Sequence, residues 1–420
     1  MKRNKLLVAV LTLTLILVLG MLISNALAGN SQKERYIVVF EPETFVNEPA
    51  RGALIKAFGG ETLKELPLVN GVAVLLPPQA AEKLSAKEGV VRVDKDIIVE
   101  IVKGKPPKNP PQQPSQTLPW GVDRIDAEYA WEYSTGAGVK VAILDTGIDL
   151  DHPDLFVAGG YNAINPRKTP DDDNGHGTHC AGIAAALDND IGVVGVAPDA
   201  SLYAVKVLNR NGQGFLSDVI EGLQWCIDNG MLVVNMSFGS SSDNQTFHDA
   251  ITTASESLIQ VAAAGNTGGD VIYPAKYDET IAVSATDKSD SLASWSSYGP
   301  EIDFAAPGVD IYSTYKGGTY ETLSGTSMAA PHVTGTVALV LAIGGTVDVG
   351  AGSQTEDNLK GEDTSLTDLQ EGEGIVDAED SVNGDAENKG DNLSSTTAAP
   401  ALKTFTARGK IAITWGEIKK

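Results

Sequence analysis

The chain has 420 residues, 42% of them hydrophobic and 20% charged, with a formal net charge of −24. Its length exceeds that of one ordinary domain, and its apolar content suffices for a large buried core. So acidic a chain is repelled by nucleic acid and by anionic membrane surfaces, which argues against both as natural partners. With only Cys180 and Cys226 it is no disulfide scaffold; one bridge and two buried thiols both stay open.

Lys2, Arg3 and Lys5 form a basic start, an apolar run follows from Leu6 to about Ile23, and Ala26-Leu27-Ala28 gives the small-x-small pattern of a cleavage site. The expectation is a signal peptide over 1–28 and a secreted, extracellular protein. The run approaches spanning length, so a retained anchor is the competing reading. Residues 36–102 predict a small α+β, ferredoxin-like unit with strands at 36–40, 71–76, 90–93 and 97–101 and helices at 53–58 and 79–87. The stretch 103–115 holds five prolines and fits neither a ladder nor a helix. It reads as an extended, exposed joint open to proteolytic processing.

From Trp120 to about Ala342 short apolar runs occur at 139–144, 201–207, 232–236, 259–263 and 280–283, with helical spacing at 178–186 and 216–229. Such runs suit strands buried on both faces of a sheet. The fold class is therefore α/β: a doubly wound, mostly parallel sheet with helices on both faces and its site beyond the carboxyl ends of the strands. After Gly344 small and acidic residues dominate, and 394–400 reads as a linker. Residues 403–415 alternate like one strand, which leaves 385–420 as a flexible tail or the stub of a further domain.

Three blocks carry chemistry. Asp145 ends the first core strand in Ile143-Leu-Asp-Thr-Gly-Ile148, where a carboxylate is well placed to orient a base. His179 lies in Asn174-Gly-His-Gly-Thr-His-Cys-Ala-Gly182, at the start of a helix, and is taken as that base. Ser327 lies in Ser324-Gly-Thr-Ser-Met-Ala-Ala-Pro-His332, where a glycine turn gives way to a helix whose N-terminus favours developing negative charge. A serine hydroxyl is a weak nucleophile until a base takes its proton, and the base needs a third group to fix its tautomer. The chain order Asp, His, Ser differs from that of chymotrypsin and of the α/β-hydrolases. His152, His176 and His332 read as structural and His248 as a surface residue.

DTGID, NGHGTHCAG and GTSMAAPH resemble, in order and separation, the blocks around the triad of the subtilisin family, a resemblance that spans nearly all of 116–342. It implies a serine endopeptidase with a propeptide at 29–114, a catalytic domain at 115–384, and protein and peptide substrates. Ala262-Ala-Ala-Gly-Asn266 resembles the block that supplies the oxyanion donor, here Asn266. Ser237, Phe238, Gly239, Ala264 and Gly265 resemble the walls of the primary pocket, and Gly212 and Gly214 the edge that pairs with extended peptide. The loop from Asn266 to Pro274 is shorter than in the best-known members, and broad preference for apolar or aromatic side chains is expected. Gln116, Asp154, Leu187, Asn189, Ile191 and Val193 align with the family's tight calcium site, an all-oxygen set. Asp171-Asp-Asp173 reads equally as a second ion site and as a solvated loop. The resemblance further implies a monomer whose propeptide acts as intramolecular chaperone and inhibitor, and that processing lets Gln116 swing in to complete the calcium site. Residues 372–382 resemble the family's closing helix.

Overall fold

The computed structural model describes residues 33–45, 47–101, 113–345, 347, 359–362, 364, 366–367, 370 and 374–383. The expected signal peptide, most of the Pro-rich joint and the stretch 385–420 lie outside the described residues. The chain divides into two compact units, one ending at Asp96 and the other beginning at Ile97.

In the first unit β1 (Glu34–Phe40), α1 (Glu48–Ala57), β2 (Glu61–Leu66), β3 (Gly71–Leu76), α2 (Pro78–Ser85) and β4 (Val90–Lys95) follow one another. The sheet order is β2-β3-β1-β4, all antiparallel, the βαββαβ arrangement of a ferredoxin-like unit. Asn47 caps α1 by accepting from the Ala50 N–H, with a proline in the first turn. Tyr36, Val38, Phe40, Val72, Val74 and Leu76 pack against Ile55 and Leu84 of the two helices. The strand at 61–66 was not expected, and 97–101 was expected here but belongs to the second unit.

The second unit opens with β5 (Ile98–Ile101), then short α3 (Trp120–Arg124) and α4 (Ala127–Ala130), β6 (Lys140–Asp145), β7 (Val157–Asn162), α5 (His176–Ala185) and β8 (Ser201–Lys206). There follow β9 (Gln213–Phe215), α6 (Leu216–Asp228), β10 (Val233–Met236), β11 (Phe238–Gly239), α7 (Gln245–Ser255), β12 (Ile259–Ala263) and β13 (Ile281–Thr286). β14 (Phe304–Pro307), β15 (Ile311–Tyr315), β16 (Thr319–Leu323), α8 (Thr326–Ala342), β17 (Lys360–Glu362), β18 (Ile375–Asp377) and α9 (Ala378–Asn383) complete it. The expected closing helix is thus a strand followed by a shorter helix.

The main sheet runs β17-β18-β14-β13-β12-β10-β6-β8-β7, parallel throughout except for β17. Strand residues alternate between two apolar layers, as the pleat requires. Val141 and Ile143 join α5 and α8 in one core, while Gly222 of α6 lies against Leu144 and Val205 from the other side. α8 is buried from Thr326 to Val340 and apolar all round, as a central helix must be. Strand order reverses about β6, so the carboxyl end of β6 is the topological switch point.

A unit as small as the first has little stability in reserve. Phe40 is almost fully buried, with Phe45 at 5.3 Å and the Arg51 guanidinium over its ring. Phe40→Ala is expected to cost about 3–5 kcal/mol. In circular dichroism an isolated 29–102 fragment carrying it should then lose its folded signal.

Candidate active site

Asp145 stands at the carboxyl end of β6, fully buried. Its Oδ1 accepts from the Thr146 N–H at 2.7 Å. His176 Nδ1 lies 2.8 and 2.9 Å from the two carboxylate oxygens. A glycine is needed next to that histidine: a Cβ on Gly177 would stand 2.1 Å from the Gly147 carbonyl and 3.0 Å from Asp145 Cβ. Only its absence lets the start of α5 close on the Asp145 loop. Asp172 anchors that start. Its Oδ1 accepts from the N–H groups of Asn174 and Gly175, and its Oδ2 from the N–H and hydroxyl of Thr178. The Thr146 hydroxyl donates to Asp172 and accepts from the Gly177 N–H, joining the two loops. Asp172 is therefore a helix anchor, and neither reading of 171–173 as an ion site or a solvated loop fits it.

This geometry corrects the choice of histidine. His179, expected to pair with Asp145, has Nε2 at 3.1 Å from the carbonyls of both Ile311 and Glu321. Two acceptors fix the proton on Nε2, which then has no lone pair to offer a hydroxyl. Burial drives the His179 pKa down to about 3, so the ring is a neutral strut between α5 and the β15–β16 hairpin. His176 differs. Burial disfavours its imidazolium, but the Asp145 carboxylate overrides that and holds the pKa well above the ordinary value. Its Nε2 is buried and has no hydrogen-bond partner among the described residues. The sequence motif contained both rings; Asp172, two to six residues ahead of the groups it caps, was the missed signal for where the helix begins.

Ser327 sits in the first turn of α8, after Gly325. Its Oγ donates to the Ser237 carbonyl at 3.0 Å, and the Ser237 hydroxyl donates back to the Ser327 carbonyl at 2.9 Å. The same carbonyl meets Cys180 Sγ at 3.3 Å, and that sulfur is 4.0 Å from His176 Nδ1. The thiol thus packs beneath both groups, and burial raises its pKa. Cys180 and Cys226 are both free. Asn266 is held by its oxygen, which accepts from the N–H and hydroxyl of Thr326 at 2.9 and 2.8 Å. Its amide nitrogen is left pointing at the turn before Ser327, where a Cβ on Gly325 would come within 2.9 Å.

The residues expected to bind substrate border one groove, and a strand of the chain itself lies in it. β5 is the middle strand of a three-stranded antiparallel sheet, β11-β5-β9. Val99 pairs with Gly214, Glu100 with both Gln213 and Gly239, and Ile101 with Phe238. The Ile101 N–H donates to the Gly212 carbonyl at 2.9 Å. Val99 and Ile101 are buried, whereas Ile98 and Glu100 are exposed. Ile101 also fills the space a side chain at Gly212 would need. The second wall is continuous with the first: Ser240 and Tyr273 exchange two backbone hydrogen bonds, and the Ile272 N–H donates to the Ala264 carbonyl. Gly265 is tied to Thr326 through its N–H.

The residues expected to hold calcium also converge. Asp154 is fully buried, accepting from Asn189 Nδ2 at 2.8 Å and from the Val193 N–H at 2.9 Å. Burial raises its pKa, and the hydrogen bonds only partly offset that. Gln116 accepts from the Asn189 N–H and donates to Asp188. Ser115 and Thr117 bridge to Ile191 and Val193. The carbonyls of Leu187, Ile191 and Val193 accept no hydrogen bond among the described residues. The Asn189 oxygen accepts from the Ile191 N–H, so the set is a buried carboxylate with two side-chain amides and three carbonyls around one loop, oxygen donors of the kind a hard cation such as calcium takes. Gln116 is already there in the uncut chain, so no swing after cleavage is needed to bring it.

The profile of the Subtilase family matches residues 136–346. The thermostable alkaline protease of Halalkalibacterium halodurans is 43% identical over 320 residues, covering 76% of this chain and 84% of that protein. Subtilisin NAT of Bacillus subtilis subsp. natto is 41% identical over 352 residues, 81% of this chain and 89% of its own. Subtilisin Savinase of Lederbergia lenta reaches 51% over 229 residues, 54% and 85% respectively. With that similarity over a parallel sheet whose switch point holds a buried Asp–His pair, the chain belongs to the subtilase family and is a serine-type endopeptidase.

Proposed function

We propose that this is a secreted endopeptidase of broad specificity in which Asp145, His176 and Ser327 are the reacting triad and Asn266 the oxyanion donor. The observation that carries the assignment is the buried His176 ring, with Nδ1 on Asp145 and Nε2 unpartnered. Rotation of the Ser327 hydroxyl away from the Ser237 carbonyl would free its proton for a base. In acylation His176 Nε2 takes the Ser327 proton while Oγ attacks the peptide carbonyl, and then gives that proton to the leaving amine. Water repeats the sequence and regenerates the serine. The Asn266 amide and the Ser327 N–H stabilise the negative oxygen between these steps. Asp145 fixes the tautomer and favours the imidazolium.

Since the base must be neutral to act, kcat/KM should rise with pH through a midpoint above 6.5, the ordinary histidine value. Ser327→Ala and His176→Ala should each abolish peptide hydrolysis with the fold intact by circular dichroism. His179→Ala should instead lower the melting temperature, and a folded His179→Ala enzyme with the turnover of His176→Ala would refute the assignment.

The β5 ladder supports autoprocessing. Main-chain pairing of this kind gives affinity with little sequence preference, and the strand leads directly into the stretch 102–116 where the cut is proposed. The first unit with its following strand is then a propeptide that assists folding and stays in the groove until degraded. Isolated 29–102 added to the mature, monomeric protease should inhibit it with slow dissociation. Full activity at saturating, folded fragment would sink this reading.

Calcium is proposed at Gln116, Asp154, Asn189 and the carbonyls of Leu187, Ile191 and Val193. When bound it supplies positive charge for the buried Asp154 carboxylate and pins the chain at 115–117 to the 187–193 loop. A ligand of the native state alone stabilises by about 2.7 kcal/mol at a hundredfold excess over Kd. Chelator should therefore lower the melting temperature of the enzyme and leave an Asp154→Ala variant unmoved; identical melts of the enzyme with calcium and with chelator would exclude the site.

A further inference from the structure

Lys206 ends β8, between Asp145 on β6 and Asn162 on β7. It is 6% exposed, unusual for a lysine, and no part of the chemistry above uses it. An ammonium has three protons to donate, and three oxygens receive them here. They are the Thr146 carbonyl, the Leu208 carbonyl at 3.1 Å and Asp173 Oδ1 at 2.6 Å. Each acceptor lies on a different part of the site. Thr146 follows Asp145, and its hydroxyl and N–H are already committed to Asp172 and to the Asp145 carboxylate. Asp173 stands in the turn that leads into His176. Leu208 begins the segment that continues into β9, and its N–H donates to the Asp145 carbonyl.

Burying an ammonium among two carbonyls and a half-exposed carboxylate costs more desolvation than an aliphatic side chain of the same length. Packing alone does not call for a cation there. We propose that Lys206 is a positioning residue of the peptidase, holding the Asp145 loop, the His176 turn and the substrate-binding edge in one register. The inference rests on Asp145, His176 and Ser327 being the reacting groups. Misplacement of such groups by an ångström costs up to about a hundredfold in rate, so a tie to all three segments has leverage on turnover.

The test uses enzyme processed in trans by wild-type protease, with two substrates: an extended peptide that spans β9, and a short ester that reaches only Ser327. Lys206→Met is expected to lower kcat about tenfold or more on both. It should also raise KM for the extended peptide alone, because only that substrate reads the β9 edge. Asp173→Ala removes the oxygen that ties Lys206 to the His176 turn and spares the tie to Leu208. It should lower kcat on both substrates with the KM ratio unchanged. Should Lys206→Met fail to fold, Asp173→Ala decides the matter: a wild-type kcat overturns the proposal. Wild-type kinetics for a folded Lys206→Met, with only its melting temperature reduced, overturns it equally. Ser327→Ala in the same assays keeps the two readings apart: activity retained there would refute the triad itself, whereas activity lost there beside wild-type kinetics in folded Lys206→Met would refute the role of Lys206 alone.

Discussion

A carboxylate buried at the carboxyl end of a parallel strand is the constraint from which the rest of the site follows. Asp145 has no exposure to water, and an ionised group there must be met by donors or a counter-charge. The Thr146 N–H and the His176 ring meet it. For the ring to arrive, α5 must begin against the Asp145 loop, which demands glycine at 177 and a fixed helix start. Asp172 supplies the second by taking four donors of the first turn and the hydroxyl of Thr146. Sequence, helix start and protonation state are therefore one problem with one solution.

The groove poses a second problem, that of open strand edges. β9 and β11 are two such edges, and β5 pairs with both at once. A surface of this kind binds any extended segment that can alternate buried and exposed side chains, as Val99, Glu100 and Ile101 do. Gln113 donates to Gly318 and accepts from Tyr320 on the β15–β16 hairpin, and the Pro114 carbonyl accepts from the Gly192 N–H of the 187–193 loop.

Much of this was legible beforehand because the signals were local. Each buried parallel strand is a short apolar run, and 139–144, 201–207 and 259–263 match the observed strands to within a residue or so. Asn266 and Ser327 were singled out by the short glycine-containing blocks around them, and the structure brings them together through Thr326. Where two solutions shared one pattern, the sequence alone was mute. The motif Asn174–Gly182 carries two histidines three apart, and only the Asp145 contact separates base from strut. Ile98–Ile101 alternates in the same way whichever sheet it joins, so it was assigned to the first unit. Glu61–Leu66 carries three charges in six residues and is half-buried at a sheet edge, which hides its strand character. Asp172 looked like one member of an acidic run because capping is a property of the backbone around it.

Three of the four buried histidines then show what the fold does with one chemical group. His332 donates from Nδ1 to the Met328 carbonyl, and burial lowers its pKa to about 4. His179 is lowered further, to about 3. Both are neutral in the native state and titrate at the ordinary value once unfolded. Their contribution to stability is therefore complete above about 6.5 and is lost as pH falls from there toward the folded values. His176 runs the other way, since its folded pKa is raised: its pairing with Asp145 stabilises the protein most in acid and fades as pH rises through that pKa. The neutral form that gives up this stabilisation is the one able to accept a proton from serine. In this interior the neutral form of that ring is thus the less stabilising one, while His179, already past its titration, ties α5 to the β15–β16 hairpin.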